Sequence, residues 1–133
     1  MGRWEEIDHT ADIAVRIVGD TLADLFSTAA VAMFELLAEP EACGLPVFED
    51  VRLEAIDRES LLVDWLNELL YLHERDEIVI VDIVFEQLTA AELQARVRGL
   101  PVRTYQRSIK AATFHNLEIK RGQGEYRTTI VFD

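Results

Sequence analysis

The chain has 133 residues, half of them hydrophobic, and a formal net charge of −12 at pH 7. A chain of this length buries roughly two-thirds of the surface that it exposes when unfolded, so residues 1–133 are predicted to form one domain without covalent cross-links. Because the one cysteine, Cys43, has no partner, no leader pattern follows Met1 and no apolar run approaches the roughly 20 residues that span a bilayer, the prediction is a soluble, cytoplasmic protein.

Two strands and a helix are predicted in the first 38 residues. The segments "RWEEI" and "IAVRIVG" have strand character, and a polar pentapeptide, "DHTAD", separates them. Apolar residues then recur at helical spacing, with Thr21 placed as the N-cap and Asp24 three residues later. This pattern predicts an amphipathic helix near 21–38. Its apolar positions are Leu22, Leu25, Phe26, Ala29, Ala30, Met33, Phe34 and Leu37.

A loop, a strand and a second helix are predicted in the middle of the chain. Pro40, Gly44 and Pro46 mark the loop. Apolar and charged residues alternate over 51–55, as in an antiparallel strand with one face in water. Helical spacing of apolar residues resumes after this strand and predicts a second helix over about 59–74.

Four or five strands are predicted after the second helix. The run "IVIVDIVF" at 78–85 is continuously apolar and is predicted to be a central strand, whereas residues 92–98 alternate with period two. The segments "FHNLEIK" and "YRTTIVF" flank "RGQG", whose glycines permit the positive φ angles of a hairpin turn. The predicted fold class is α+β, with two helices packed on one side of a largely antiparallel or mixed sheet.

Charge is distributed unevenly along the chain. Residues 1–95 contain five Lys or Arg against twenty-two Asp or Glu, whereas residues 96–133 contain eight against three. The negative net charge argues against nucleic acid as a ligand bound along its whole backbone, because phosphate binding requires a positive surface. The basic final third is interpreted either as solvated strand faces or as a surface that meets an anion or an acidic partner.

The pentapeptide "DHTAD" at 8–12, which contains Asp8, His9 and Asp12, lies at a strand boundary and has two interpretations. Its carboxylates are common caps of turn amides, and Asx turns are frequent at such corners. Alternatively, they contribute to a metal site, which then needs ligands from elsewhere, and His115 and Asp133 are the candidates. Carboxylate oxygens suit Mg²⁺, Mn²⁺ or Ca²⁺, whereas the cysteine count excludes a thiolate-rich zinc site.

Other catalytic patterns are weak in this sequence. It has no G-x-x-x-x-G-K-[ST] phosphate loop, no G-x-S-x-G elbow and no H-E-x-x-H helix. Cys43 with His9 or His115 makes a poor nucleophile and base, because no electropositive neighbour activates the thiol. His73, near the end of the second helix, is interpreted as a cation at a helix C-terminus or as a partly buried spacer.

Three separated segments resemble the archease family. The first is "DHTADIAVRIVGDTLADLFSTAAVAMFELL", in which a D-H-T-A-D loop leads into a strand, a turn and a helix containing A-M-F. The second is "IKAATFHNLEI" and the third is the terminal "TTIVFD". The three agree in order and spacing over the whole chain, which makes the resemblance specific.

The resemblance implies an activator of another enzyme. Archeases are small cofactor proteins of the GTP-dependent RNA ligase that joins 2′,3′-cyclic phosphate or 3′-phosphate ends to 5′-hydroxyl ends in tRNA splicing and RNA repair. They promote guanylylation of the ligase and allow its multiple turnover, so RNA is contacted only through the ligase. The resemblance also implies an α/β sandwich of strand-helix-strand-strand units.

The resemblance also implies roles for particular residues. The metal-binding aspartates of the family fall on Asp12 and Asp133, which meet if the second and last strands end at the same edge of the sheet. A divalent Ca²⁺, Mg²⁺ or Mn²⁺ ion would offset the repulsion between these carboxylates. The lysine of the family that activates the partner falls on Lys110. This residue is predicted to lie on the strand before the final hairpin, from which its ammonium would meet a ligase carboxylate or a phosphate. Supporting positions in the matched motifs are Asp8, His9 and His115.

Two other function classes stay open from the residues. One is an independent metal-dependent phosphoester hydrolase built on the two aspartates, although no clear base or phosphate-binding glycines accompany them. The other is a chaperone-like interaction module whose acidic helical face binds basic partners. Assays with phosphoesters test the former, and binding assays with RNA-processing proteins other than the ligase test the latter.

Overall fold

A computed structural model describes residues 2–7, 12–114 and 116–133. Within these residues the chain forms two helices and nine strands. The helices are α1 (Leu22–Leu37) and α2 (Arg58–Asp76). The strands are β1 (Arg3–Ile7), β2 (Ile13–Gly19), β3 (Ala38–Pro40), β4 (Val47–Glu54), β5 (Ile78–Leu88), β6 (Glu92–Tyr105), β7 (Ala112–Thr113), β8 (Lys120–Gly122) and β9 (Glu125–Phe132). None of the described helices is long and apolar enough to cross a membrane.

The strands form two sheets in which every described pairing is antiparallel. In the first sheet β2 lies between β1 and β9, and both β7 and β8 pair with the other edge of β9. In the second sheet β6 pairs with β3, β4 and β5. The pairing of β2 with β9 brings together segments that are more than 100 residues apart, and it creates the edge on which the candidate site lies.

The two helices pack on these sheets, which confirms the predicted α+β class. The prediction of one sheet with both helices on one side was too simple, because α1 and α2 each contact strands of both sheets. Burial around α1 explains the difference, since its buried residues cover most of its circumference rather than one stripe. One continuous core contains both helices and both sheets, with Trp65 fully buried and its Nε1 donating to the carbonyl of Phe26 at 3.1 Å.

The prediction that residues 78–85 form the central strand was wrong. Among the described residues β5 pairs with β6 alone, whereas β6 is flanked by β4 and β5 over the same residues. Only the first three residues of β5 are buried, and Val84 is 63% exposed. The apolar run reflects packing of the start of β5 against the helices, and the alternation along β6 reflects one face in the core and one in water.

The region after α1 also differs from the prediction. The first helix ends at Leu37, and residues 38–40, predicted as helix end and loop, form β3 against the end of β6. The register shifts between Glu39 and Pro40, which is where a residue without an N–H is tolerated in a sheet. Three residues carry too little periodicity for a sequence pattern to reveal them.

The second helix is longer than the predicted 59–74. Asp57 is its N-cap and accepts from the backbone N–H of Ser60 at 2.7 Å, so the helix starts at Arg58. This hydrogen bond lowers the pKa of the Asp57 carboxyl below its ordinary value. The cap therefore stabilises the fold above the ordinary carboxyl pKa, and the contribution is lost as the pH falls through the lowered value.

The final hairpin is confirmed at its turn but not along its first strand. Gln123 and Gly124 have φ angles of 53° and 77°, so they form the two-residue turn, while Gly122 is still paired with Glu125. Of the two glycines predicted to adopt positive φ angles, only Gly124 does so, and the second positive φ angle of the turn belongs to Gln123. Among the described residues of the segment "FHNLEIK", only Lys120 belongs to a strand, because residues 114 and 116–119 lie outside any ladder.

Candidate functional site at the end of the first sheet

Asp12 and Asp133 occupy facing positions at one end of the first sheet. Ile13 pairs with Phe132 in the register of β2 and β9, and the two aspartates are the next residues along each strand. Asp12 lies in a bend and is half-buried, whereas Asp133 is exposed. The prediction that the second and last strands end at the same edge is confirmed.

Lys110 is attached to the same end through its backbone. Its N–H donates to the carbonyl of Asp133 at 2.6 Å, and the N–H of Asp133 donates to the carbonyl of Ala111 at 2.8 Å. The prediction that a strand carries this lysine was wrong, since Lys110 lies in the loop between β6 and β7, two residues before Ala112. The Lys110 side chain is exposed and forms no ion pair within the described part of the chain.

Two further contacts hold the loop that carries Lys110. The N–H of Gln106 donates to the carbonyl of Leu37, the last residue of α1, at 2.9 Å. Arg107 donates from Nη1 to both carboxylate oxygens of Glu6, each at 2.9 Å. Glu6 lies in β1, shortly before the polar pentapeptide. This ion pair therefore connects the loop that carries Lys110 to the strand that leads into the pentapeptide.

Asn67 of α2 anchors β7 from the core side. Its Oδ1 accepts from the N–H of Ala112 at 2.8 Å, and its Nδ2 donates to the carbonyl of Ala112 at 3.2 Å. No described strand pairs with Ala112 on that side, so this pair of bonds satisfies its backbone there. Sequence reasoning missed this residue, although one signal exists: an amide between the buried Val63 and Leu70 on an apolar helix face is costly unless it is hydrogen-bonded.

The described residues form a candidate site from the facing ends of β2 and β9 and the exposed Lys110, and Asn67 of α2 holds β7 beside β9. A model of the archease protein family (MTH1598/TM1083) matches residues 4–133. The chain belongs to the archease family. The match includes every residue of the site described above.

Curated archeases and solved structures agree with this assignment. The archease of Methanosarcina barkeri is 37% identical, with 98% of this chain and 95% of that protein covered, and the archease of Pyrococcus furiosus is 34% identical, with coverage of 100% and 99%. The solution structure of Methanobacterium thermoautotrophicum protein 1598 has a TM-score of 0.73 at 28% identity and covers 98% of this chain and 97% of that one. The crystal structure of an archease, possible chaperone, from Thermotoga maritima shares the fold, with a TM-score of 0.72 at 24% identity and coverage of 97% and 95%.

The donor atoms of this archease fit a hard divalent cation. Asp12 and Asp133 supply carboxylate oxygens from adjoining strand ends, and such oxygens are the preferred ligands of Ca²⁺, Mg²⁺ and Mn²⁺. Within the described ranges no three or more His, Cys, Asp or Glu side chains are grouped so that they could hold a metal ion. The other predicted supporting residues, Asp8, His9 and His115, lie outside the described residues.

His73 lies in the core. Its side chain is only 6% exposed, so it is more deeply buried than the partly buried spacer that the sequence suggests. Its Nδ1 is 2.7 Å from the carbonyl oxygen of Ile78, and the rings of Phe34 and Tyr105 pack edge-on against the imidazole. His73 therefore contributes to packing between α2 and the second sheet.

We expect Asn67→Ala to loosen β7 and with it the lysine loop. The variant removes an acceptor and a donor from the backbone of Ala112, and the loss of a part-buried hydrogen-bonded group costs about 1–3 kcal/mol of unfolding free energy. Urea denaturation measures this cost. Amide hydrogen exchange should be faster at Ala112 and Asp133 than in the parent protein, while amides within α1 keep their protection.

The matched control is Asp64→Ala, which changes an exposed residue of the same helix and should leave both measurements near the parent values. Unchanged exchange at Ala112 in Asn67→Ala would show that the neighbouring strand alone holds β7.

Proposed function

We propose that this archease is a divalent-metal-binding activator of the RNA ligase that joins 2′,3′-cyclic phosphate or 3′-phosphate ends to 5′-hydroxyl ends. In this proposal it promotes guanylylation of the ligase and allows multiple turnover, and it has no ligase activity of its own. The observation that carries the proposal is the convergence of Asp12, Asp133 and Lys110 on one end of the first sheet. These are the three positions that match the functional residues of the family.

The facing aspartates support the metal part of the proposal. The register places Asp12 and Asp133 at adjoining strand ends, and a divalent cation held between their carboxylates would offset the repulsion of two negative charges brought close together. The bound ion would supply positive charge at this edge. The role of the chain is to hold Asp12 and Asp133 at fixed positions, through the β2 and β9 ladder and the bonds between Asp133 and Lys110–Ala111.

The exposure of Lys110 supports the activation part. Its backbone is held by Asp133 while its ammonium remains in water, so the charge is available to a partner without unfolding any of the described structure. A lysine ammonium is a compact point charge with three donors, and it pairs well with a carboxylate or a phosphate. Within the ligase complex it would offset negative charge during nucleotide transfer.

We expect activation to be catalytic in this archease. The sequence has no nucleotide-binding loop, and the acidic first part of the chain beside a basic final third favours electrostatic steering to a partner during transient encounters. About one archease per ten ligase molecules should therefore still convert most of the ligase to its guanylylated form. The rate should fall as salt rises, because charges are screened over a Debye length of about 8 Å at physiological ionic strength.

A time course of ligase guanylylation with labelled GTP, with and without this protein and at several salt concentrations, measures both effects. A requirement for one full equivalent, with no effect of salt, would contradict the transient encounter and indicate a stable subunit. No stimulation by the unaltered protein at any ratio would overturn the proposed function itself.

A chaperone-like module is the second candidate, because the related Thermotoga maritima structure is described as a possible chaperone. Such a module would suppress aggregation of basic RNA-processing proteins, and Lys110→Ala would leave this effect unchanged. An activator of the ligase instead loses its effect with Lys110. Light scattering of a heated client and the guanylylation assay, both run with this variant, separate the two functions.

A further inference from the structure

The outward face of the first sheet carries two cations directly opposite each other. Lys120 of β8 pairs with Arg127 of β9 in the antiparallel register, so their side chains emerge on the same face. Both residues are exposed. Within the described ranges neither side chain forms an ion pair or a hydrogen bond. Like charges in facing positions destabilise a sheet unless an anion or solvent compensates them.

A third cation lies beside this pair. Arg16 of β2 is opposite Thr129, two residues from Arg127 on the same face of β9. Arg16 donates to Glu5 of β1, a contact that leaves further guanidinium donors for another acceptor. The three cations are therefore arranged across three neighbouring strands of one rigid sheet.

These cations border an open cleft of about 250 Å³. Its lining has three cationic side chains and one carboxylate, and its other members are hydroxyl or amide residues. The lining residues are Arg16, Asn116, Glu118, Lys120, Arg127, Thr128 and Thr129. The cleft is thus locally positive in a protein whose net charge is −12. Its donors match the oxygens of a phosphate group, which guanidinium and ammonium groups bind by charge-assisted hydrogen bonds.

We propose that this cleft, which we call the sheet-face cleft, binds a phosphate of the RNA strand that the ligase joins. The phosphate chemistry follows from the cations, and the choice of RNA rests on the proposed function. A direct contact of this kind departs from the expectation that RNA is contacted only through the ligase. Arg127 is six residues from Asp133 along β9, a distance of roughly 20 Å in an extended strand. An RNA strand with its end at the ligase can therefore lie along this face. One or two phosphate contacts need only these few cations, so the acidic remainder of the chain is no obstacle.

The test is binding of a fluorescein-labelled single-stranded oligoribonucleotide, measured by anisotropy without ligase. Arg127→Gln with Lys120→Gln removes both facing cations and keeps side chains that suit a strand. This double variant should bind the oligonucleotide about tenfold or more weakly at 50 mM salt than the unaltered protein. The plot of log affinity against log salt should also become less steep by about 1.4, because the variant loses two cations and each phosphate contact to a single strand contributes about 0.7 to the steepness.

The matched control is Arg52→Gln, which removes an exposed strand cation from β4 of the second sheet. It should bind the oligonucleotide within about twofold of the unaltered protein. Circular dichroism melting of each variant verifies that the sheet is intact. A reversed pattern, with Arg52→Gln weaker than the double variant, would place the contact on the other sheet.

Besides this reversed pattern, three results would overturn the sheet-face cleft as an RNA site. They are no salt-dependent binding of the oligonucleotide, equal binding by the double variant, and binding of GTP or polyglutamate as tight as that of RNA at the same charge. The last would assign the cleft to a mononucleotide or an acidic peptide. Guanylylation of the ligase with GTP and no RNA is measured separately, so failure of the RNA site is distinguishable from failure of the proposed activation.

Discussion

Lys110→Ala is expected to abolish stimulation of ligase guanylylation while leaving the fold intact. Among the described residues the hydrogen bond of Lys110 is donated by its backbone N–H, and alanine keeps that bond to Asp133. The free energy of unfolding should therefore stay within about 0.5 kcal/mol of the parent value, as for other surface changes. The guanylylation time course measures the loss of activation, and urea denaturation measures stability.

The control for this prediction is Arg103→Ala, which removes an exposed cation from β6 without touching the candidate site. It should activate as the parent does. Lys110→Arg adds a second test, because the charge stays but the compact ammonium is replaced by a planar guanidinium, and partial activation is expected. If Lys110→Ala activated the ligase fully, Lys110 would be a surface residue with no role in activation.

Local patterns in the sequence were sufficient for the elements that determine the fold class. β1 and β2 have the bounds of the predicted segments "RWEEI" and "IAVRIVG". Thr21 caps α1 as predicted and accepts from the N–H of Asp24 at 3.0 Å. These signals are local, since a cap or an alternation is complete within a few residues.

Features that depend on distant pairing were not predictable in the same way. β3 forms because Ala38 pairs with Tyr105 of β6. β5 lies at an edge because the strand between β4 and β5 is β6. Hydrophobicity indicates how deeply a residue is buried. The two helices cover the start of β5, so this edge strand is as apolar there as a central strand would be. A continuous apolar run therefore indicates burial and does not identify the strand at the centre of a sheet.

The candidate site shows the same division. Three matched motifs pointed to Asp12, Lys110 and Asp133, and the strand ends predicted that the aspartates share an edge. Two contacts support this edge. Asn67 is hydrogen-bonded to Ala112, 45 positions away, and Arg107 is paired with Glu6, 101 positions away. Neither pair has a spacing that periodicity can detect, so only the folded chain reveals them.

The metal proposal predicts that Asp12→Ala and Asp133→Ala each weaken binding of Ca²⁺, Mg²⁺ or Mn²⁺ by at least about tenfold, because each removes an oxygen donor and a negative charge from the pair. Without metal both variants should be as stable as the parent, since loss of one carboxylate relieves repulsion. Isothermal titration calorimetry measures the affinities, with Asp64→Ala on α2 as a control that should bind as the parent does.

Thermal unfolding with and without metal gives the second measurement for these variants. An ion that binds only the folded state stabilises it by about 2.7 kcal/mol at a concentration one hundred times its Kd, so the parent should melt higher when metal is added and lower again with a chelator. At the same concentration Asp12→Ala and Asp133→Ala should gain much less. The shift should be equal in parent and Asp64→Ala, because Asp64 is on a helix away from the strand ends. If both aspartate variants kept the affinity and the shift of the parent, the ends of β2 and β9 would not be the metal site, and the two carboxylates would only cap turns.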